Sequence, residues 1–150
     1  MRNAALVAIG GLALVAVASS QVQWNEMPLA DGLFREHETA YRTDVIDIPL
    51  DAGGELEYKL GMSKGDSIVY QWDAVDLKDP EALWAEFHGH TPPVNNVGDL
   101  MFYRKEFGAT ERGSLVAPFT GIHGWYLRNE SDKAIVVRLK VAGFYELLEQ

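Results

Sequence analysis

From Asp44 onward the chain alternates apolar and polar residues with a period of two, the spacing of strands buried on one face. In "ELEYKLGM", residues 55–62, Leu56, Tyr58, Leu60 and Met62 fall on one side and Glu55, Glu57 and Lys59 on the other. "SIVYQWDA" sets Ile68, Tyr70, Trp72 and Ala74 on one face, and the "SKGD" between these runs has the composition of a turn. "GIHGWYLRN", residues 121–129, groups His123, Trp125 and Leu127 against Tyr126 and Arg128. "AIVVRLKVAGFY" lines up Ile135, Val137, Leu139, Val141 and Tyr145 with Arg138 and Lys140 opposite, and "NESDK" before it is the joining turn. "DLMFYRKEF" alternates more loosely, and "VDLKDPEAL" has room for one turn of helix. About seven or eight short strands separated by turns predict an all-β fold, a sandwich or jelly roll over residues 44–150. Trp72, Trp84 and Trp125 are expected to anchor its core.

The first segment breaks this pattern. Ala4 to Ala18 is an unbroken run of apolar and small residues behind Arg2. Extended through Val22 it reaches about 19 residues, enough to approach a bilayer span, with Trp24 at the interface. Ala16-Val17-Ala18 has the form of a signal-peptidase site, with cleavage leaving Ser19 first. Residues 1–23 are therefore expected to be a signal-anchor helix or a cleaved signal peptide. Either way Arg2 keeps the N-terminus inside and the domain outside the cytoplasm. Residues 24–43 show no period and read as a linker, with one helical turn expected around Leu33 to His37 and His37 an exposed linker histidine.

Composition narrows the function. The 150 residues suit one domain plus a short segment, and 47% hydrophobic residues can supply a core. A net charge of −9 without a basic patch argues against nucleic acid as a partner. The absence of cysteine removes disulfides, thiolate ligands and a cysteine nucleophile.

The candidate chemistry centres on "EFHGH", residues 86–90. On a strand, Glu86, His88 and His90 share one face. Two imidazoles and a carboxylate suit zinc or copper, although the same three residues also make an ordinary polar strand face. His123 is the natural fourth donor if its strand lies opposite, and otherwise a buried histidine with satisfied nitrogens. A cupin-like metal site fits poorly: "TPPVNNVG" after "HGH" lacks the expected Glu, and the spacing of Gly113, Pro118, Gly121, His123 and Asn129 is off. "GDS" at 65–67 has no downstream Asp-x-x-His and fits a turn, and "NES" at 129–131 fits the glycosylation pattern inside a turn. No catalytic residue is assigned.

The stretch "GSLVAPFTGIHGWYLRNESDKAIVVRLKVAGFY" is similar to the C-terminal half of Golgi-dynamics (GOLD) domains: a strand, a Gly-aromatic strand ending in Asn, a polar turn and a final β-branched strand. The run from Glu55 to Tyr145 resembles more closely a family of small bacterial transmembrane anchor proteins, through "ELEYKLGMSKGDSIVYQW", "FHG", "GSLVAPFTGIHGWYLRN" and "GFY". The resemblance implies a GOLD-like sandwich carried on one N-terminal helix, single-pass in the inner membrane, with its C-terminal domain on the periplasmic side. It implies a partner among envelope or membrane proteins and no particular activity. It also sets "FHG" beside "IHG" and so raises a pairing of His88 with His123. Relatives tend to carry an acid where this chain has His90, so no metal role for His90 is inherited.

Overall fold

A computed structural model describes residues 22–150. The expected N-terminal helix falls on residues 1–21, outside the described residues; Val22 and Gln23 have no regular structure. No helix among the described residues is long and apolar enough to cross a membrane. The chain divides at Arg35. Residues 22–35 form neither helix nor strand, and a turn closed from Leu33 N–H to Ala30 C=O stands where a helical turn was expected nearby.

Residues 36–150 carry nine strands: β1 (Tyr41–Leu50), β2 (Glu55–Met62), β3 (Ser67–Val75), β4 (Leu83–His90), β5 (Leu100–Phe107), β6 (Thr110–Val116), β7 (Gly121–Asn129), β8 (Ile135–Phe144) and β9 (Glu146–Leu147). β1 opens three residues before the expected boundary. All pairs are antiparallel, in two sheets ordered β1-β8-β3-β6 and β5-β4-β7-β2-β9. A single 3-10 turn, Pro80–Ala82, occupies the expected helical stretch, with Asp79 accepting from Glu81 N–H at its start.

The alternation in the sequence becomes the core. Ile68, Tyr70, Trp72, Val137, Leu139 and Val141 face inward from one sheet, and Tyr58, Leu60, Phe87, Trp125 and Leu127 from the other, all buried. Trp84 departs from expectation. It shares strand parity with Glu86 rather than with Leu83, Ala85 and Phe87, so it lies on the outer face, half-buried against Phe107. The loose pattern of β5 also has a cause. Phe87 pairs with Arg104 and His88 with Phe102, so Tyr103 is an extra residue in a β-bulge. The bulge lets Tyr103 turn inward while Phe102 stays outside.

Two polar clusters close the ends. Asn129 is fully buried; its amide donates to the carbonyls of Leu50, Asp51 and Lys133, and its oxygen accepts from Ser131. That staples the β1–β2 turn to the β7–β8 turn and removes the "NES" asparagine from the surface. Asp66, 2% exposed, accepts from His37 Nδ1–H (2.9 Å), Thr39 Oγ1–H (2.8 Å) and Ser63 N–H (3.0 Å). Burial works to raise the Asp66 pKa, but these bonds outweigh it and hold the carboxyl below its ordinary value. His37 is not the exposed linker residue expected. Its ring stacks on Phe144 with centroids 3.7 Å apart, and it ties the residues before β1 to the β2–β3 turn.

Candidate functional site

β4 lies between β5 and β7, and its parity sends Glu86, His88 and His90 to the outer face of the five-stranded sheet. That much follows the sequence. Their partners do not. Glu86 accepts from Trp84 Nε1–H at 3.0 Å and has Lys105 Nζ at 3.8 Å, so it turns toward β5 and away from the histidines. The carboxylate that reaches His88 belongs to Glu57 on β2, with Oε1 3.1 Å from His88 Nε2 and 3.8 Å from His90 Nε2.

Gly124 makes this reach feasible. In register, His88 faces Gly124, which faces Lys59. A side chain on Gly124 would stand between β2 and His88, and its Cβ would lie 1.9 Å from the Tyr58 carbonyl. The backbones of β2 and β7 therefore require glycine, and the gap it leaves opens the path from Glu57 to His88. On the other side Phe102 packs on His88 at 5.7 Å, and Lys105 Nζ sits 3.3 Å from the Phe102 ring centre.

His123 does not join this group. It is fully buried on the inner face of the same sheet, with Gly89 as its neighbour on β4. The proposed meeting of His88 with His123 therefore does not form: the two rings lie on opposite faces. Nor do His88 and His90 point into the space between the sheets, where a cupin-like site would require them. His123 Nε2–H donates to the Phe119 carbonyl at 3.0 Å, since a carbonyl can only accept. Nδ1 must then be the acceptor, and the Tyr103 hydroxyl donates to it at 2.8 Å. Burial pushes the Tyr103 pKa up to about 12, so its proton stays available for that bond.

Burial also lowers the His123 pKa, against the opposing effect of the Phe119 carbonyl bond. The folded state thus binds fewer protons at this site than the unfolded chain, whose histidine titrates near about 6.5. His123's contribution to stability is fully present above that pH and is lost as pH falls below it toward the folded value. Chemical denaturation at pH 7 and pH 5 should show a larger loss of stability for the wild type than for His123→Gln. Equal losses would remove His123 as the source.

Sequence reasoning missed Glu57, Tyr103 and Gly89. Glu57 was one of several charges on an exposed strand face, and only cross-strand register singles it out. It also missed Glu111 on β6, which is 6% exposed and accepts from the Tyr70 hydroxyl and, at 3.3 Å, from Trp72 Nε1–H. Burial, then the Glu111 bond, drives the Tyr70 pKa upward and keeps that hydroxyl a donor. A cleft of about 400 Å³ opens beside it, lined by Gln71, Arg104, Thr110, Glu111 and Arg112.

Among the described residues no three His, Asp or Glu side chains are grouped so that they could hold a metal ion, and the expected set of Glu86, His88, His90 and His123 is not brought together. The outer face here is a mixed surface of aromatic, acidic and imidazole side chains. No protein-family model matches the chain, and no curated protein sequence matches it.

Proposed function

We propose that this protein is a membrane-tethered, non-cytoplasmic β-sandwich module that binds or helps to assemble another envelope or membrane protein. The observation that carries this reading is an apolar strip along β5 and the hairpin that leads into it. Val94 and Val97 are each 72% exposed, Leu100 55%, Met101 45% and Phe102 42%. Val94 and Val97 pair across Asn95 and Asn96, whose positive φ values make a tight two-residue turn, so both valines are presented on a small projecting hairpin. The core already has its apolar residues, and a contiguous exposed strip of this kind marks an interaction surface. β5 is also the end of its sheet and offers free backbone groups along one edge. Its bulge, with Arg104 and Lys105, discourages indiscriminate strand pairing and favours a partner shaped to it.

The finer fold reading belongs here too. The order β1-β8-β3-β6 facing β5-β4-β7-β2 supports a jelly roll of eight strands with β9 appended, and the resemblance to GOLD domains and bacterial transmembrane anchor proteins agrees with it. Arg2 and the apolar run to Ala18 support the tether and the location.

A photo-crosslinking residue at Phe102 of the full chain, in intact cells, should yield a discrete adduct with a membrane or envelope protein. The same residue at Val69, 59% exposed on the outer face of the other sheet, should not. No adduct from Phe102, or the same adducts from both positions, overturns the reading. For the location, protease should digest the domain once the outer barrier is permeabilised; protection by a sealed inner membrane would reverse the topology.

A further inference from the structure

We propose that the end of the sandwich at which the chain enters β1 is its docking end, and that the occupant is the extramembrane surface of an integral membrane protein, apolar at its centre and basic around it. The inference rests on the tether and the partner proposed above and narrows where, and on what, the module binds.

The first ground is topology. Antiparallel order brings to one end the residues leading into β1, the β2–β3 turn, the β4–β5 hairpin, the β6–β7 loop and the residues after β8. The β1–β2, β3–β4, β5–β6 and β7–β8 connections lie at the other end. Exposed apolar side chains divide unequally between the two. The entry end carries Val94, Val97, Leu100 and Met101, and Val116 at the close of β6 is 66% exposed. Among the described residues, the large apolar side chains exposed at the far end are Val75 and Phe107, at 37% and 38%. Val94 and Val97 also stand on a preformed support. Their backbones exchange two hydrogen bonds of 2.8 and 3.0 Å. Below them Thr91 N–H donates to the Asp99 carbonyl and Asp99 N–H donates to Thr91 Oγ1, each at 3.0 Å. A partner that covers these valines therefore has little new chain to order.

The second ground is the pinned entry. His37 and Thr39 both donate to the buried Asp66 carboxylate, and the His37 ring stacks on Phe144. The slack toward the apolar run is then confined to residues 22–36, which reach no further than about 54 Å at about 3.6 Å per extended residue. The pinned end is thus the end nearest the bilayer along the chain. What stands before it is either the lipid surface or a protein embedded there.

The third ground is charge, which separates those two. Glu38, Asp99 and Glu146 are exposed at this end, against Lys64. Binding to a lipid surface draws on buried apolar area and on cations facing anionic headgroups, whereas this end has two projecting valines and an acidic balance. A protein surface with Lys or Arg around an apolar centre complements it and disfavours mismatched partners.

The test is photo-crosslinking of the full chain in intact cells, with the reactive residue at Val97 or, in a second variant, at Asp132, which is exposed in the β7–β8 turn at the far end. Val97 should form an adduct with an integral membrane protein, identified by mass spectrometry, and the joined peptide should lie in a non-cytoplasmic segment carrying Lys or Arg. Asp132 should form none with that protein. Adding about 30 Gly-Ser residues after Leu29 triples the slack; because effective concentration falls as roughly the −3/2 power of length, the Val97 adduct should drop about fivefold. Combining Asp99→Lys with Glu146→Lys should lower the yield several-fold, with a circular dichroism spectrum that matches the wild type. An adduct from Val97 with lipid, with a second copy of this chain or with a soluble protein overturns the inference. A yield indifferent to slack or to charge, or an equal adduct from Asp132, overturns it as well. If Phe102 gives its partner adduct and Val97 gives none, the binding reading stands and this one falls; if neither gives one, both fall.

Discussion

Gly89→Ala is expected to destabilise the domain by about 2–6 kcal/mol, although it adds a single methyl group. Gly89 is the residue of β4 that sits directly over the buried His123–Tyr103 pair. A Cβ there would stand 2.4 Å from His123 Nδ1 and 2.4 Å from the Tyr103 hydroxyl, the two atoms of that hydrogen bond. Neither ring has an easy retreat. His123 is fixed through Nε2 to the Phe119 carbonyl, and Tyr103 packs edge-on against Phe87 with centroids 5.0 Å apart. Overpacking alone costs about 1–3 kcal/mol, and parting the pair leaves buried polar atoms unpaired at about 1–3 kcal/mol more. Urea unfolding of Gly89→Ala and of Gly89→Ala with Tyr103→Phe tests the cause. Removing the hydroxyl clears one of the two clashes, so the double variant should lose less than the sum of the two single losses. A loss below about 1 kcal/mol in Gly89→Ala would mean that the pair does not lie beneath this glycine.

The second large effect belongs to Trp125. Its ring is 1% exposed and lies between the sheets, stacked on Phe87 with centroids 4.6 Å apart and planes within 5°, and met edge-on by Tyr70 at 4.9 Å. Trp125→Ala should cost about 3–5 kcal/mol through lost burial and the cavity left behind. The indole Nε1 is buried without a hydrogen-bond partner among the described residues, so packing rather than polarity holds it. Trp125→Phe keeps the stack on Phe87 and discards the unpartnered N–H. It should therefore cost less than half of the alanine loss. Thermal and urea unfolding of both variants would check this; equal losses would show that the stack on Phe87 does not carry the effect.

The histidine question shows how far one dimension of information reaches. Period two in "EFHGH" correctly sets Glu86, His88 and His90 on a single face, because side chains alternate along any extended strand. The same period groups His123 with Trp125 and Leu127 as inward residues, and all three are buried. Period alone cannot say which face of a strand is inside. Trp84 was expected in the core for its size, yet it follows the parity of Glu86 to the outer face, since Leu83, Ala85 and Phe87 already fill the inner one. Nor can it say who stands beside whom. Glu57 lies 31 residues from His88 and meets it only because β7 runs between their strands with a glycine at the crossing point.

His37 and Glu111 make the same point from the other side. A histidine in a stretch without period looks like linker, and a glutamate in a short polar strand looks like surface. Both are drawn in by partners far along the chain: Asp66 and Phe144 for His37, Tyr70 and Trp72 for Glu111. Local pattern is a property of the backbone period, which neighbours in sequence share. Hydrogen-bond partnership is a property of strand order and register, which they do not.

By itself, then, the sequence determined the all-β class, most strand positions and most inward residues, because burying one face of a pleated strand demands an alternating pattern that is legible in a single chain. Only the tertiary structure decided that His88 and His123 lie on opposite faces of one sheet, that Glu57 rather than Glu86 is the carboxylate that reaches His88, and that Tyr103 bulges inward to hold His123. Those outcomes depend on which strands lie side by side, on a one-residue slip in register, and on glycines that let backbones and rings approach, none of which leaves a periodic trace in the chain.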